Sequence, residues 1–489
     1  MADPADRADG ADDLLAVRRG KLESLRASGI DPFPHEFDGV EPIAVVRADH
    51  VALSAGDETS VRHRVAGRLA ARRGQGKMAF LDLVDRSGRI QLQARVDELG
   101  AEGMDRLLGL DLGDLIGVDG IAFMSRRGEL SLRVQAYTLL AKSLRPPPEK
   151  HHGLTDVETR FRRRELDLIA NEDARELFIV RARVISAVRR FLDAEGFIEV
   201  ETPVLQPLYG GAAARPFTTH HNALNREFFL RIATELYLKR LIVGGLERVY
   251  ELGKDFRNEG VDSTHNPEFT MLEWYEAYAD YFDVAERCER LVSTVALEVG
   301  YAGEVDLSPP WRRETLCDAI RDRTGISILE HNDGESLAGA MSARGLNVPK
   351  DEGWPKLVDE LVSKHVEPTL IEPTFLMDYP VELSPFAKRH RSVEGLVERF
   401  EAYVGGMEIA NAFTELNDPD EQRRRFEEQR ALAGAGDLEA QPYDEAFVEA
   451  LEQGMPPTGG IGIGIDRLVM VLTGRRSIRE VVLFPAMRD

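Results

Sequence analysis

The chain reads Phe256-Arg257-Asn258-Glu259-Gly260 and, shortly afterwards, His265-Asn266-Pro267-Glu268-Phe269. The arginine and the glutamate of the first segment are two residues apart, so an extended backbone directs both side chains to the same side. A loop then carries the histidine, and the second segment ends with an aromatic ring. Together these groups can hold a triphosphate, accept a hydrogen bond from an adenine amino group and stack on the adenine ring. The stretch therefore predicts a nucleotide site.

The composition is that of a large globular protein with more than one domain. The chain has 489 residues, too many for one ordinary core, with 43% hydrophobic and 30% charged residues. Its two cysteines, Cys288 and Cys317, exclude a disulfide framework and a cysteine-rich zinc site, and they indicate a reducing, cytoplasmic compartment. No apolar run approaches the roughly 20 residues that cross a bilayer. Residues 1–10 lack the apolar core of a secretion signal and are expected to form a disordered tail.

The charge is unevenly distributed along the chain. The formal net charge of −23 argues, taken alone, against a polyanionic partner. Residues 61–95, however, contain nine arginines or lysines against two acids, and a second basic cluster runs over residues 160–164. Local patches of this kind steer nucleic acid. Solvated strand edges give the same pattern, so composition leaves both interpretations open.

The first 150 residues predict a helix, a small β-barrel and a linker. Residues 12–28 have the apolar periodicity of a helix. From Val61 to about Leu140 the pattern changes to short alternating runs, at 61–67, 79–85, 89–93 and 130–140, with a turn at 86–88. Five or so short strands in about 80 residues suit an oligonucleotide-binding (OB) barrel, which also removes exposed strand edges. Three consecutive prolines within Arg145–Lys150 predict an extended linker.

The remaining residues predict a larger mixed α+β domain. We expect a long helix at 174–194, which is followed by strands at 197–203, 227–232, 248–252, 373–379 and 405–416, and a helical segment at 301–372. Because strands and helices do not alternate strictly, the pattern favours a mostly antiparallel sheet flanked by helices. There is no Gly-x-x-x-x-Gly-Lys-Ser/Thr loop, and the glycine run 459–464 lacks the preceding strand of a dinucleotide-binding turn. A nucleotide would therefore be bound on another scaffold.

Three segments resemble the signature motifs of class II aminoacyl-tRNA synthetases. The stretch 256–269 resembles motif 2, Gly462–Leu468 resembles motif 3, and the helix 174–194 with the strand 197–203 resembles motif 1. The substrate-pocket residues given below and the closing run Val481–Arg488 are similar to the lysyl-tRNA synthetases of subclass IIb. The resemblance implies a tail and helix (1–55), an OB-fold anticodon-binding domain (56–145) and a class II catalytic domain (146–489). It also implies a cytoplasmic homodimer, joined through motif 1.

The resemblance further implies an ATP site that contains Mg²⁺. Arg257 would bridge the amino-acid carboxylate and the α-phosphate, because a planar guanidinium can hold two anionic oxygens at once. Arg467 would lie across the adenine from Phe269. Magnesium takes one or two protein carboxylates and keeps several waters, although two glutamates at such a spacing are otherwise ordinary strand acids. The implied ATP-binding residues are Arg257, Glu259, His265, Asn266, Phe269, Glu401, Glu408 and Arg467, and the implied metal ligands are Glu401 and Glu408.

The resemblance also implies that the amino acid is L-lysine. Residues 411, 413 and 415 alternate with period two and share one face of a strand, as do residues 273 and 275. A buried ammonium group needs compensating carboxylates, and this set contains three of them. By similarity, Glu235 would bind the α-ammonium group, Glu273, Tyr275 and Glu415 the ε-ammonium group, Asn411 with Arg257 the carboxylate, and Phe413 the aliphatic stem.

The barrel carries the implied anticodon site. Phe80 and Gln91 are expected on neighbouring strands, beside Arg72. An aromatic face stacks on a base, an amide reads its edge, and an arginine pairs with phosphate or base. Taken as a bare residue, Phe80 is equally well a core side chain. The resemblance assigns Arg72, Phe80 and Gln91 to the anticodon of tRNA(Lys).

The implied activity is that of a lysine–tRNA ligase. Lysine and ATP would form lysyl-adenylate and pyrophosphate, and the terminal adenosine of the tRNA would then take the lysyl group. Three alternatives stand beside it. Transfer of lysine to a non-tRNA acceptor is opposed by the barrel and by the lack of a membrane span, and an aspartyl- or asparaginyl-tRNA synthetase is opposed by the carboxylate-rich pocket. A nucleic-acid-binding protein with an inactive synthetase-like domain is opposed by the intact ATP-site residues.

Overall fold

The chain divides into two units, residues 1–175 and residues 176–489. The computed structural model describes residues 4–74, 76–148, 154–350, 353–434 and 441–488. The division falls within a long helix, and the domain limits expected at residues 55 and 145 stay predictions. Within the described ranges, no helix is both long and apolar enough to cross a membrane.

The first unit contains a closed five-stranded barrel, which confirms the predicted OB fold. Its strands are β1 (Glu58–Arg73), β2 (Met78–Asp85), β3 (Gly88–Arg95), β4 (Leu115–Met124) and β5 (Leu130–Ala141), closed in the order β1-β2-β3-β5-β4. Its helices are α1 (Pro4–Ala27), α2 (Ile43–Asp49), α3 (Val96–Gly109), α4 (Val157–Arg162) and α5 (Arg164–Ala170). Helix α1 begins before the predicted residue 12, so residues 4–10 are helical where a tail was expected. Residues 1–3 of that expected tail, and residues 149–150 of the expected linker, lie outside the described residues.

The barrel core follows from the alternation of apolar residues along its strands. Leu81 and Leu83 of β2 and Ile90 and Leu92 of β3 are buried inside it. The predicted turn joins these two strands, and the carboxylate of Asp85 accepts the backbone N–H groups of residues 87 and 88. Strand β1 contains a β-bulge between residues 69 and 71, where its register with β2 shifts.

The second unit contains an eight-stranded sheet and a three-stranded sheet. Its strands are β6 (Ile198–Glu199), β7 (Leu205–Gln206), β8 (Thr218–His221), β9 (Arg226–Leu230), β10 (Arg248–Phe256), β11 (Glu268–Ala277), β12 (Arg312–Thr315), β13 (Thr374–Pro380), β14 (Leu396–Val404), β15 (Met407–Thr414) and β16 (Thr458–Gly464). Its helices are α6 (Glu172–Ala194, which begins in the first unit), α7 (Glu235–Val243), α8 (Tyr281–Val299), α9 (Leu316–Thr324), α10 (Gly334–Ala343), α11 (Trp354–Leu361), α12 (Pro419–Gly434), α13 (Glu445–Glu452), α14 (Ile465–Thr473) and α15 (Ile478–Val481). Short π- and 3₁₀-helical turns lie at Val362–Val366, Glu367–Thr369 and Val381–Leu383.

The large sheet is mostly antiparallel, as predicted. Its order is β12-β13-β14-β15-β16-β11-β10-β6, and only the pairs β12/β13 and β10/β6 are parallel. Three predicted strands differ from the structure. The strand expected at 227–232 belongs to the small sheet β7-β9-β8, and the strand expected at 197–203 is reduced to β6. The strand expected at 405–416 begins at Met407, because Gly405 and Gly406, with φ of +65° and +73°, form the two-residue turn of a hairpin.

The sheet has one face covered by helices and one face open to a cavity. Leu272 and Trp274 of β11 and Ile461 and Ile463 of β16 pack in the core formed with helices α6, α8 and α14. The glycine run 459–464 is itself strand β16, and its even-numbered glycines point to the opposite face. Helices α9, α10 and α11 form a smaller separate core, where the sequence predicted a helical segment. Cys288 and Cys317 are both free thiols.

Candidate active site

A cavity of about 740 Å³ lies against the open face of the large sheet. Its walls come from strands β11, β15 and β16, from the connection between β10 and β11, and from the start of α14. The cavity brings together twelve of the residues predicted for the ATP and lysine sites: Glu235, Arg257, Glu259, His265, Asn266, Phe269, Glu273, Tyr275, Glu408, Asn411, Phe413 and Arg467. The two other predicted residues, Glu401 and Glu415, do not line it.

The glycine-rich strand β16 creates the floor of the cavity. Gly462 lies in register between Glu273 of β11 and Asn411 of β15, and Gly460 lies between Tyr275 and Phe413. Partners in register share a face of the sheet, so a strip without side chains runs between two rows of functional groups. A Cβ atom at Gly460 would overlap the ring of Tyr275. Only glycine therefore leaves space for a ligand at this position.

Arg257 and Phe269 form one side of the predicted nucleotide site. Strand β10 ends at Phe256, so Arg257 and Glu259 lie in the following connection and not on an extended strand as expected. Both nevertheless line the cavity. The guanidinium carbon of Arg257 lies 5.1 Å from the ring centroid of Phe269, and its Nε donates to the carbonyl of Ile232 at 3.5 Å. A cation and an aromatic face are thus adjacent.

Arg467 also lines the cavity, beside Glu408 and His265. It lies in the first turn of α14, as predicted, and its Nη1 donates to Oε2 of Glu408 at 3.0 Å. Its Nη2 lies 3.1 Å from Nε2 of His265. The amide of Asn266 is used within the chain, because it donates to the carbonyl of Glu268 at 2.5 Å and accepts the N–H of residue 486 at 3.1 Å. Asn266 thereby holds the loop, and its phosphate contact stays a prediction.

The two predicted metal ligands belong to an acidic cluster. Glu401 does not line the cavity; its carboxylate accepts hydrogen bonds from Tyr379 at 2.8 Å and Tyr403 at 2.6 Å and pairs with Arg399 at 2.5 Å. Burial raises the pKa of Glu408, and the neighbouring charge of Glu401 raises it further. A divalent cation would offset this repulsion, so the pair fits Mg²⁺. The described residues contain no preformed group of three or more metal-ligating side chains.

The predicted lysine site contains three buried carboxyl groups. Oε1 of Glu273 accepts the N–H of Thr234, and Oε2 accepts the hydroxyl of Tyr275, both at 3.1 Å. Burial, together with the charges of Asp255 and Glu235, raises the pKa of Glu273 to about 8. Glu235 opens helix α7, where the positive end of the helix dipole faces it.

Glu415 does not line the cavity, although the sequence predicted it in the lysine site; one of its carboxylate oxygens lies where a Cβ atom at Gly460 would be, on the cavity face of β16. It is 1% exposed, and its Oε2 is 2.5 Å from the ammonium group of Lys239. Burial raises the pKa of Glu415 to about 8, although the positive charge of that ammonium group acts to lower it. A buried carboxylate requires a counter-charge, and without substrate Lys239 provides it.

Lys239 and Arg399 are functional candidates that the sequence analysis missed. Lys239 is four residues after Glu235, a helical spacing that places both on one face of α7. Arg399 is two residues before Glu401 on β14, and its Nε donates to Oδ1 of Asn411 at 3.1 Å. Both spacings are visible in the sequence. A functional role is indicated only by the contacts of Lys239 with Glu415 and of Arg399 with Asn411, which the fold creates.

The predicted anticodon residues are not all on one face of the barrel. Because of the bulge in β1, Arg73 pairs with Phe80, whereas Arg72 pairs with the interior residue Leu81. The guanidinium of Arg72 donates to the carbonyls of residues 108 and 110. Gln91 of β3 accepts the hydroxyl of Ser131 at 3.1 Å. Arg73 is therefore the arginine across from Phe80.

The comparison with protein families defines the class of this chain. Residues 156–488 match the family described as tRNA synthetases class II (D, K and N), and residues 63–140 match the OB-fold nucleic acid binding domain. The chain therefore belongs to the class II tRNA synthetase family.

Its similarity to individual relatives extends over nearly the whole chain. It is 53% identical to the lysine–tRNA ligase of Chloroflexus aurantiacus over 486 residues, which cover 98% of each chain. It is 51% identical to the lysine–tRNA ligase of Moorella thermoacetica over 483 residues, covering 97% of this chain and 98% of the relative. For the lysine–tRNA ligase of Roseiflexus castenholzii the identity is 53% over 485 residues, covering 97% and 99%.

Proposed function

We propose that this chain activates L-lysine with ATP and transfers it to tRNA(Lys). The supporting observation is the composition of the cavity, in which buried carboxyl groups adjoin the Arg257–Phe269 pair and Arg467. Lysine carries two ammonium groups, and a site of carboxylates binds them while it repels the acidic side chain of aspartate.

The first step needs placement and charge neutralisation more than a reactive side chain. The carboxylate of lysine attacks the α-phosphorus of ATP, and pyrophosphate leaves in line. Arg257 holds the attacking carboxylate and the α-phosphate together, and Phe269 and Arg467 fix the adenine between them. Glu401 and Glu408 would hold Mg²⁺, which would neutralise charge on the triphosphate. His265 and Asn266 are proposed to lie near the terminal phosphates, and Glu259 to accept the adenine amino group.

The amino-acid side of the site is proposed in the same cavity. Glu235 is proposed for the α-ammonium group, and Glu273, Glu415 and Tyr275 for the ε-ammonium group. Asn411 and Arg257 are proposed for the carboxylate, with Phe413 over the aliphatic stem. A site whose buried polar groups would be left unpaired by a shorter or uncharged ligand discriminates strongly against it.

The proposal places the enzyme in the cytoplasm as a homodimer. Two free thiols suit a reducing compartment. Strand β6 is at the edge of the large sheet, and Ile198 (49% exposed) and Leu205 (48%) leave apolar surface uncovered near it. The helix 174–194 and the strand region 197–203 are proposed as the interface. Sedimentation velocity of the wild-type protein and of Ile198→Glu tests it, because the charged variant should sediment as a monomer.

Arg257→Ala tests the proposed activity. Lysine-dependent ATP–pyrophosphate exchange should fall by at least about a hundredfold, because a charge-assisted contact to the reacting groups is lost. The control is Arg312→Ala, an exposed arginine on β12, which should retain wild-type exchange. Near-normal exchange by Arg257→Ala would contradict the assignment. Charging of a tRNA(Lys) transcript by the wild-type protein separates transfer to tRNA from transfer to another acceptor.

A further inference from the structure

The ammonium group of Lys239 forms ion pairs with two carboxylates of the proposed amino-acid site. Its side chain is fully buried, and its ammonium group lies 2.5 Å from Oε1 of Glu235 and 2.5 Å from Oε2 of Glu415. Oε1 of Glu235 and Oε2 of Glu415 therefore lie no farther apart than twice 2.5 Å. The ring of Phe386, 5.2 Å from the ammonium group, closes the site on another side. Lys239 itself is not among the residues that line the cavity.

The two oxygens that Lys239 does not bind are directed toward the cavity. Oε2 of Glu235 would be 3.7 Å from a Cβ atom at Gly211, and Oε1 of Glu415 would meet a Cβ atom at Gly460. Both glycines line the cavity. Oε1 of Glu415 is buried and has no hydrogen-bond partner within the described part of the chain. A buried oxygen without a partner, next to an empty glycine face, is available for a ligand cation.

We propose that Lys239 is a positioning residue that sets the distance between the carboxylate for the α-ammonium group and a carboxylate for the ε-ammonium group, and thereby selects the length of the substrate side chain. This inference rests on the proposed function, in which Glu235 and Glu415 bind the two ends of lysine. One bridging ammonium group ties a helix residue to a residue that follows strand β15. Loss of the bridge would remove the cation that holds the two buried carboxyl groups together, so they would take up protons or move apart.

Lys239→Met tests this role, because methionine has a similar length and no charge. Exchange is measured with lysine and with ornithine, which is one methylene shorter. The variant should raise KM for lysine at least about tenfold, leave KM for ATP unchanged, and lower the preference of kcat/KM for lysine over ornithine about tenfold. The matched control is Lys142→Met, a buried lysine of the first unit that pairs with Asp114 at 2.8 Å. It should change neither the KM for lysine nor the preference.

The outcomes separate this inference from the proposed function. If the wild-type protein shows no lysine-dependent exchange, the proposed function fails. If the wild-type protein is active and Lys239→Met keeps both its KM for lysine and its preference over ornithine, only the role of Lys239 fails. Should Lys239→Met not fold, as judged by circular dichroism, Lys239→Arg provides the test. Its larger cation keeps the charge but separates the carboxylates, so an unchanged preference for lysine over ornithine would overturn the inference.

Discussion

Glu273 and Glu415 are the residues whose ionisation should decide how strongly the proposed amino-acid site attracts a cation. Glu273 is surrounded by Asp255, Glu235 and the N–H of Thr234, and Glu415 by Lys239 and Glu235. Burial raises the pKa of each carboxyl group to about 8. At Glu415 the charge of Lys239 acts against this increase. Near neutral pH both therefore carry a proton for part of the time, and a bound ammonium group favours the ionised form.

The affinity for lysine should rise with pH up to about 8 and should be coupled to proton release. Calorimetric titration with lysine near pH 6.5 and pH 8, in two buffers of different ionisation enthalpy, measures both effects. The expected gain in affinity is about tenfold or more, since one released proton corresponds to about tenfold per pH unit below the pKa. An affinity that is independent of pH, without proton release, would contradict the assignment of these carboxyl groups.

The same raised pKa values affect stability in the opposite direction. Between the ordinary pKa of glutamate and about 8, the ligand-free folded protein binds more protons at these two sites than the unfolded chain does. Their contribution to the free energy of unfolding therefore falls as the pH rises across that window. Added lysine should oppose the loss, because it stabilises the folded, ionised form.

Gly460→Ala should block the amino-acid site. The new methyl group would overlap the ring of Tyr275 and the carboxylate of Glu415. Overpacking of this kind destabilises by about 1–3 kcal/mol, and KM for lysine should rise at least about tenfold. Gly339→Ala in helix α10, where a Cβ atom meets nothing within 4 Å, is the control for exchange kinetics and melting temperature. Normal KM for lysine in Gly460→Ala would show that the site lies elsewhere.

At the scale of elements, helix α6 joins the two halves of the proposed nucleotide site. Nη1 of Arg181 pairs with Oδ1 of Asp466 at 2.6 Å, and Nη2 donates to Oγ1 of Thr270 at 3.0 Å. The other oxygen of Asp466 accepts the N–H of Thr270 at 2.7 Å. Thr270 follows Phe269, and Asp466 precedes Arg467. The cluster therefore fixes the spacing of the two groups proposed to hold adenine.

Arg181→Leu should loosen this spacing. Removal of one partner leaves the buried Asp466 uncompensated, which should lower the free energy of unfolding by about 3 kcal/mol and raise KM for ATP more than KM for lysine. Denaturant unfolding and exchange kinetics measure the two effects. The control is Arg321→Leu. Arg321 is an arginine of α9 whose side chain is 56% exposed, and its loss should lower the free energy of unfolding by less than about 1 kcal/mol. Equal effects of the two substitutions would contradict the role of Arg181.

The sequence predicted elements and local motifs better than contacts between distant elements. Arg257 and Phe269 were found because one short segment carries both of them. Lys239 was missed because Glu415, its second partner, lies far along the chain and is brought near it by the strand order of the sheet. The resemblance placed Arg72 beside Phe80, and the bulge in β1 shifts the register so that Arg73 lies across from Phe80. Bulges and strand order depend on tertiary packing, which periodicity does not encode.

At the scale of the whole molecule, adenylate formation and tRNA recognition are proposed to lie in separate units. The cavity is built entirely from residues of the second unit, and the barrel belongs to the first. Phe80→Ala should therefore leave ATP–pyrophosphate exchange unchanged and lower kcat/KM for tRNA charging by about tenfold or more, as loss of one stacked base predicts. A parallel loss in exchange would show that Phe80 is a structural residue of the barrel.

One experiment addresses the choice of substrate itself. ATP–pyrophosphate exchange is measured with the wild-type protein and each of the twenty standard amino acids, with ornithine as an additional ligand. The carboxylates around the cavity predict that lysine alone gives strong exchange, with aspartate and asparagine lower by at least about a thousandfold. Exchange supported by aspartate or asparagine, or by no amino acid, would contradict lysine activation by this chain.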